Sequence, residues 1–398
     1  MARRRIGILT GGGDVPGLNS VIKSVVYRGW ERGLEVVGIR KGFEGLTHLD
    51  LADPASRAHY IIELNRDNTR TIDRHGGTFL HSSRVGPATV RELPAHLAGQ
   101  SFPSHVGKGG MTYDLTSQVL ENLDGLGIDG LLTIGGDGTL KSAAQLNRLG
   151  VKVVGIPKTM DNDVQSTEYC IGFSTAITRA TAAIDRQRTT IGSHERIGVF
   201  RVFGRDAGFT ALYAAHVTSN RCVIPEYPVD LEKLIDLLVT EKRTNPSSYA
   251  LVILSEGATW KGYEVQEYGR PDAMGRRRKA SVGEVLAEEI QSRSGEETIV
   301  SDLTYDLRSG EPDFLDKLVA STFGTMALEA LLDGAHGLMS AIVEGCYELV
   351  PIPDPSLGPR KVDVATMYNV ERYRPLYGNK RHWPIFLTRV PPAPAGLP

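Results

Sequence analysis

The chain has 398 residues, which is enough for about two domains of ordinary size. Lys and Arg together number 45 against 47 Asp and Glu, so the bulk charge gives no reason to expect a nucleic-acid partner. No apolar stretch reaches the roughly 18 residues of a membrane span, and the first apolar run is too short for a signal peptide. With three widely separated cysteines, we expect a soluble protein of the reducing cytoplasm.

The predicted elements repeat one unit, a short strand followed by a glycine-rich turn, a helix and the next strand. Such units build parallel α/β sheets. In chain order we expect strands at residues 6–10, 35–39, 128–134, 151–156, 196–202 and 249–254, helices at 20–32, 139–149 and 208–218, and loops at 85–112 and 258–281. Because the carboxyl ends of parallel strands share one edge, the turns that follow them should converge on one or two clefts.

The turn at residues 135–139 has the composition of a phosphate site. Gly136 and Gly138 would let backbone N–H groups approach phosphate oxygens at the start of the following helix. Asp137 would then hold Mg²⁺, a hard ion that binds carboxylates and substrate phosphates. By itself the motif also fits a simple tight turn capped by Asp, and it is neither a P-loop nor a dinucleotide fingerprint.

The next predicted strand is followed by the polar run KTMDND at residues 158–163. Phosphoryl transfer needs a group that accepts the proton of the attacking hydroxyl, and Asp161 could be that base, with Asp163 as its partner. Lys158 could neutralise phosphate charge. The alternative is an Asx-rich loop without chemistry. Arg205, at the end of a later strand, could bind a phosphate bidentately or form a surface ion pair.

Taken together and in this order, the motifs resemble the phosphofructokinase family, and the match covers most of the chain. The segments that carry the resemblance are Thr10–Asn19 (TGGGDVPGLN), Gly76–Arg84 (GGTFLHSSR), Ile134–Thr139 (IGGDGT), Lys158–Asp163 (KTMDND), Ile171–Phe173 (IGF), Ser193–Arg196 (SHER) and Phe203–Arg205 (FGR). The resemblance implies an enzyme that transfers a phosphoryl group from Mg·ATP, or alternatively from pyrophosphate, to O1 of fructose 6-phosphate.

The resemblance also implies the fold, two Rossmann-like three-layer α/β/α domains. Residues 1–170 with about 309–340 are expected to form the phosphoryl-donor domain. Residues 171–308 with about 341–398 are expected to form the sugar-phosphate domain. A homodimer or homotetramer is expected, because Arg196 resembles an arginine that reaches the sugar phosphate of a neighbouring subunit.

The resemblance implies individual roles, position by position. Asp161 looks like the general base, with Thr159, Asp163 and Lys158 around the reacting hydroxyl and the transferred phosphoryl group. The residues that resemble the donor site are Gly12, Gly13, Arg84, Gly136, Asp137, Gly138 and Thr139, with Asp137 linked to Mg²⁺. The residues that resemble sugar-phosphate contacts are Thr159, Asp161, Asp163, Arg196, Phe203, Gly204, Arg205, Glu256, Tyr305 and Arg308. Of these, Arg308 looks like the arginine that clamps the 6-phosphate.

Two positions in the sequence give conflicting indications of the phosphoryl donor. Familiar ATP users combine Gly-Gly-Asp-Gly with Pro-Gly-Thr, whereas pyrophosphate users resemble Gly-Gly-Asp-Asp with Pro-Lys-Thr, and this chain has Gly138 with Lys158. The element at Tyr305–Gly310 replaces the His-x-x-Arg-Gly-Gly of bacterial allosteric members, and it looks like the branch of pyrophosphate-dependent and atypical ATP-dependent enzymes. We expect ATP, because glycine leaves open the space beside the α-phosphate that a carboxylate would fill and repel.

Three other functions are alternatives to this one. A dinucleotide-dependent oxidoreductase would need the G-x-G-x-x-G fingerprint with a later ribose-binding acid, which the chain lacks. A non-catalytic sugar-phosphate sensor would have no need of a base such as Asp161 beside a metal-linked carboxylate such as Asp137. Another acceptor, such as sedoheptulose 7-phosphate, stays open because it presents the same reacting end.

Overall fold

The fold was described from a computed structural model of the chain. The structure describes residues 4–107, 110–263, 267–270, 277–279 and 281–390. Within these ranges no helix combines the length and the apolar character needed to cross a membrane.

The secondary structure alternates between strands and helices over most of the described chain. The strands are β1 (Arg5–Thr10), β2 (Glu35–Ile39), β3 (Ile61–Leu64), β4 (Ser104–Gly107), β5 (Gly110–Tyr113), β6 (Gly130–Gly135), β7 (Val153–Pro157), β8 (Ile197–Val202), β9 (Arg221–Val223), β10 (Ala250–Ser255), β11 (Glu267–Tyr268), β12 (Arg278–Lys279), β13 (Thr298–Asp302), β14 (Leu338–Val343), β15 (Cys346–Pro351), β16 (Tyr368–Asn369) and β17 (Arg374–Pro375). The helices are α1 (Leu18–Glu31), α2 (Phe43–His48), α3 (Pro54–Tyr60), α4 (Arg66–Thr69), α5 (Thr116–Gly125), α6 (Asp137–Arg148), α7 (Phe173–Ser193), α8 (Phe209–Thr218), α9 (Leu231–Thr244), α10 (Val282–Ser294), α11 (Tyr305–Arg308), α12 (Phe314–Leu332) and α13 (Val364–Met367).

The first sheet has seven strands in the order β15-β14-β7-β6-β1-β2-β3. Its centre is parallel, and β3 and β15 join antiparallel at the two edges. Ile6 and Ile8 of β1 pack into one cluster with α1 and α12, whereas Leu9 packs into another with α2, α5 and α6. Helices therefore cover both faces, which explains why the central strands are apolar throughout rather than alternating.

The second sheet has four parallel strands in the order β13-β8-β10-β9. Helices α7 and α8 pack together near β8 and β10, and α9 and α10 pack near β10 and β13. The described residues thus form two main sheets, each between layers of helices, and three small two-stranded sheets. The predicted α/β class is confirmed.

The chain passes between the two sheets three times. It leaves the first sheet after β7 through α7, and it returns after β13 through α11 and α12 to add β14 and β15. It then crosses again, so that β17 contacts β9 and α8. The division at residues 170, 308 and 340 stays a prediction, while residues 338–351 pair with the first sheet.

Most predicted strands and helices are present within two or three residues of their expected bounds. Helix α6 begins at Asp137 rather than at Thr139, because Gly136 is its N-cap residue and accepts the Thr139 N–H. The expected loop at 85–112 contains β4 and the start of β5, which pair antiparallel. The expected loop at 258–281 lies partly outside the described residues.

Candidate active site

Three turns follow the carboxyl ends of neighbouring strands in the first sheet: the glycine turn (residues 11–17) after β1, the start of α6 after β6, and the acidic turn (residues 158–164) after β7. They pack closely. The Gly11 N–H donates to the Ile134 carbonyl at 2.9 Å. A Cβ on Gly11 would lie 2.4 Å from Thr139 Oγ1, so a side chain cannot be accommodated there without movement.

The glycine turn forms one wall of a cleft of about 520 Å³. The residues that line this cleft are Gly12, Gly13, Asp14, Thr78, His81, Ser82, Ser83, Arg84 and Arg308. Two hydrogen bonds join the walls: Gly12 N–H donates to the Ser83 carbonyl at 2.8 Å, and the Ser82 hydroxyl donates to the Gly12 carbonyl at 2.6 Å. Three predicted donor residues, Gly12, Gly13 and Arg84, are therefore together.

The other predicted donor residues lie at the N-terminus of α6. Asp137 and Gly138 form its exposed first turn, and Thr139 is buried against Gly11. A twelve-residue helix presents the positive end of its dipole at this point, which suits a phosphate.

Lys158 is buried between the acidic turn and the glycine turn. Its side chain is 4% exposed, and Nζ donates to the Gly13 carbonyl at 2.6 Å. Burial, together with the positive charges of Arg308 and Arg84, lowers the pKa of Lys158 to about 8, while the negative charge of Asp14 opposes the shift. An anion that binds nearby would raise this pKa and favour the charged form of Lys158.

Asp161 lies in the middle of the acidic turn, where its backbone N–H donates to Thr159 Oγ1 at 3.1 Å. Its Oδ1 is shielded from solvent and has no hydrogen-bond partner. Burial raises the pKa of Asp161 well above its usual range, and the neighbouring charges of Asp163, Glu256 and Asp206 add to the effect. A carboxylate with a raised pKa and an unpartnered oxygen is suited to accept a proton.

The second sheet supplies a matching pair of turns. The arginine turn (residues 203–206) follows β8, and Glu256 follows β10 on the neighbouring strand. Arg205 Nη2 and Glu256 Oε1 form an ion pair at 3.2 Å. Gly204 has φ of 124° and accepts the Gly257 N–H at 3.0 Å, so the two turns are joined through backbone that favours glycine.

Arg308 connects the two groups of turns. It follows β13, beside β8, and its guanidinium lies 5.1 Å from the Tyr305 ring, which itself contacts Phe203 edge-on. Yet its Nη2 pairs with Asp14 Oδ1 at 2.9 Å, and the group lines the cleft of the glycine turn. In this structure the residue expected to clamp the sugar phosphate is held at the cleft of the glycine turn.

Arg196 lies apart from these residues. It precedes β8 at the amino end, whereas the arginine turn leaves the carboxyl end of the same six-residue strand, about 20 Å away. Its guanidinium pairs with Glu297 at 2.7 Å and is partly exposed. This position agrees with a role at a neighbouring subunit, which stays a prediction.

Sequence reasoning did not single out several residues that the structure brings to the site. They are Asp14, Thr78, His81, Ser82 and Ser83 in the cleft, Asp206 in the arginine turn and Arg360 beneath the acidic turn. The cleft residues and Asp206 lie inside or beside motifs that the sequence displays. Arg360 has no local signal, because its neighbours in space are about two hundred residues away in the chain.

Comparison with known proteins adds independent findings. A family model described as phosphofructokinase matches residues 5–331. The ATP-dependent 6-phosphofructokinase 3 of Streptomyces coelicolor is 36% identical over 353 residues, covering 88% of this chain and 94% of the relative. The pyrophosphate–fructose 6-phosphate 1-phosphotransferase of Amycolatopsis methanolica is 38% identical over 345 residues, covering 85% of this chain and 90% of the relative.

The fold is also found among solved structures. A pyrophosphate-dependent phosphofructokinase from Marinobacter aquaeolei aligns over 99% of this chain and 95% of that chain, with a TM-score of 0.72 and 19% identity. At that identity the likeness concerns the fold alone. The family model and the two nearly full-length relatives agree with the motifs read from the sequence: the chain belongs to the phosphofructokinase family.

Proposed function

We propose that this phosphofructokinase transfers a phosphoryl group from Mg·ATP to O1 of fructose 6-phosphate. The observation that carries the proposal is the placement of Asp161. Its unpartnered Oδ1 lies in the acidic turn. Lys158 of the same turn bonds the Gly13 carbonyl at the glycine-lined cleft, and the charges of Arg205 and Glu256 act on Asp161 from the second sheet. A base between a cleft suited to phosphate and a second group of polar side chains is what transfer to a hydroxyl requires.

In this mechanism Asp161 accepts the proton of the attacking hydroxyl. Its raised pKa brings it closer to neutral pH and makes it a stronger base than an exposed carboxylate. Lys158 and Arg84 supply positive charge at the cleft for the transferred phosphoryl group, and Arg308, which also lines the cleft, would bind the 6-phosphate of the sugar. Arg205 and Glu256 would hold and orient the sugar.

A magnesium ion fits the residues present. The described residues contain no group of three acidic, His or Cys side chains that could enclose a metal by themselves. Mg²⁺ usually binds through one or two carboxylates together with substrate phosphates, and Asp137, on the exposed first turn of α6, offers one such carboxylate. Bound with the donor, the ion would neutralise phosphate charge and help to orient the phosphoryl group.

The choice of ATP rests on the space near Gly138. This residue is exposed in the first turn of α6 and has no side chain to meet a nucleotide. Pyrophosphate is the second candidate donor, supported by Lys158, whose ammonium group bonds the carbonyl of Gly13 in the cleft. Relatives with both kinds of donor in their names match this chain about equally well.

A further part of the proposal concerns assembly and location. We expect a homodimer or homotetramer, in which Arg196 serves the sugar-phosphate pocket of a neighbouring subunit. The position of Arg196 at the far end of β8 supports this expectation. The donor and sugar-phosphate domains with the bounds given above, except that residues 338–351 pair with the first sheet, and a cytoplasmic location complete the proposal.

A coupled assay with fructose 6-phosphate and either Mg·ATP or Mg·pyrophosphate tests the proposal. We expect the product to be fructose 1,6-bisphosphate, and NMR verifies its identity and the position of the new phosphate. We expect kcat/KM to be higher with ATP than with pyrophosphate. Sedoheptulose 7-phosphate serves as the comparison acceptor. Turnover with pyrophosphate but not with ATP would show that pyrophosphate is the donor. The absence of turnover with either donor would reject the proposed function.

A further inference from the structure

Arg360 belongs to the C-terminal part of the chain, yet its guanidinium lies beneath the acidic turn. The residue is 6% exposed. Its Nη2 donates to the Asn162 carbonyl at 2.6 Å and to the Glu168 carbonyl at 3.4 Å, and its backbone N–H donates to the Asp163 carbonyl at 2.6 Å. One residue therefore holds two consecutive carbonyls of the turn that carries Asp161.

The backbone that Arg360 holds is in an uncommon conformation. Asn162, which stands between Asp161 and Asp163, has φ of 54°. Its side chain is fully buried, donates to the Glu168 carbonyl at 2.9 Å and accepts the Cys170 N–H at 2.8 Å. A left-handed non-glycine residue persists only where its surroundings fix it, so the direction of the two carboxylates depends on these contacts.

The charge of Arg360 also faces the site. Burial raises the pKa of Asp163, and the Thr159 hydroxyl and the Arg360 guanidinium lower it, while the negative charge of Asp206 raises it. The pKa of Asp161 is also raised by Glu256 and lowered by Arg205, both of the second sheet. Arg360 is thus a buried cation whose charge acts on Asp163 in addition to the hydrogen bonds that it makes with the backbone of the turn.

We propose that Arg360 is a positioning residue of the phosphoryl-transfer site, which fixes the backbone of Asn162 and Asp163 and through it the direction of Asp161. The inference rests on the proposed function, since it assigns Asp161 the role of base. The competing interpretation is that Arg360 only attaches the C-terminal segment to the core. Its guanidinium does stack on Phe209 at 4.2 Å and donates to Thr388 Oγ1 at 3.3 Å.

Two substitutions and one matched control separate these interpretations. Arg360→Met roughly keeps the volume but removes the charge and the side-chain hydrogen bonds to the Asn162 and Glu168 carbonyls, while the backbone bond to the Asp163 carbonyl remains. Arg360→Lys keeps the charge and a single donor group. Arg221→Met is the control, because Arg221 is 7% exposed, pairs with Glu241 at 2.9 Å and also joins the C-terminal segment, through the Arg372 carbonyl. It lies on β9, and nothing above places it in the site.

We expect Arg360→Met to lower kcat by about 10- to 100-fold, the usual cost of a small misplacement at a reacting centre, with both KM values within about threefold. Arg360→Lys should recover most of the loss. Arg221→Met should lower the Tm but leave kcat within about twofold. A folded Arg360→Met protein with normal kcat, or an equal loss of kcat in Arg221→Met, would overturn the proposal.

Amide hydrogen exchange of residues 161–170 supplies a readout that does not depend on activity. Exchange there should be faster in Arg360→Met than in the unmodified protein or in Arg221→Met, and equal exchange would overturn the proposal. An unmodified protein without turnover would instead reject only the proposed function. Should Arg360→Met fail to fold, Arg360→Gln, which keeps a neutral donor, decides: we expect reduced kcat, and unchanged kcat and exchange would overturn the positioning role.

Discussion

The two sides of the candidate site carry opposite charge. On the side of the cleft the charged residues are Lys158, Arg84 and Arg308, with Asp14. On the side of the arginine turn they are Asp161, Asp163, Asp206 and Glu256, with Arg205 and Arg360. Burial acts on the two sides in opposite directions, since it lowers the pKa of Lys158 and raises that of Asp161.

The difference teaches how one pocket can serve both halves of a phosphoryl transfer. The cationic side favours the negatively charged donor, and the anionic side favours a group that takes up a proton. Both shifts move the two central side chains toward neutrality in the ligand-free protein. Each side therefore changes its charge in response to what binds, and changes at either side should have separable effects.

The largest expected effect comes from removing the base on the anionic side. Asp161→Asn keeps the shape of the side chain but cannot accept the proton, so kcat should fall by about 10²–10⁴-fold, the usual range for a lost general base. Steady-state kinetics and sugar-phosphate binding by calorimetry check this, and the affinity should change little. Near-normal turnover would remove Asp161 from the role of base.

The next prediction concerns Arg308, the cleft arginine that also contacts Tyr305. Arg308→Ala should weaken sugar-phosphate binding by about 1.5–3 kcal/mol, the cost of a charge-assisted contact, which is roughly a 10- to 150-fold rise in its KM. The control is Arg32→Ala, which breaks an exposed ion pair with Glu329. Because Arg308 lines the cleft and pairs with Asp14, a rise in donor KM alone would assign it to the donor instead.

A substitution at the start of α6 sharpens the comparison on the cationic side. Gly138→Asp should lower kcat/KM for ATP by about tenfold or more, because a new carboxylate would repel the α-phosphate. The value for pyrophosphate should fall less, since that donor ends before this point. Each donor serves as the control for the other. If the unmodified protein already prefers pyrophosphate, Lys158 outweighs Gly138 and the donor assignment is wrong.

The smallest expected effect is on pH dependence. Lys158, with its pKa lowered to about 8, is cationic below that pH and neutral above it. Donor affinity should therefore weaken as pH rises, by up to about fivefold between about pH 8 and about pH 9, and donor binding should take up protons. Calorimetry in two buffers of different ionisation enthalpy measures the uptake. The same uptake in Lys158→Met would show that another group titrates.

Much of the fold and part of the site could be predicted because their signals are local. The apolar strands before residues 11, 135 and 158 set the edge at which the turns converge, and the structure has them within a few residues. The family assignment is confirmed for the same reason, since its motifs are the turns themselves. The roles of the individual residues stay predictions.

The remainder depends on tertiary contacts that no local pattern encodes. The lowered pKa of Lys158 follows from its burial under Gly13, and the position of Arg308 follows from its ion pair with Asp14. Arg360 reaches Asn162 only because the chain returns to the second sheet after β15. Helix α6 begins two residues early for a subtler reason, the hydrogen bonds that Gly136 accepts.

The repeated passage of the chain between the sheets has a consequence for biosynthesis. Strand β7 remains an open edge until β14 has left the ribosome, because β14 is its partner on that side. The hydrogen bonds that fix the acidic turn after β7 form later still, because they need residue 360. Domains of most proteins fold in order as they emerge, but neither half of this protein can be completed from its own early residues. Catalytic competence should therefore appear only late in translation, after both halves have received their final segments.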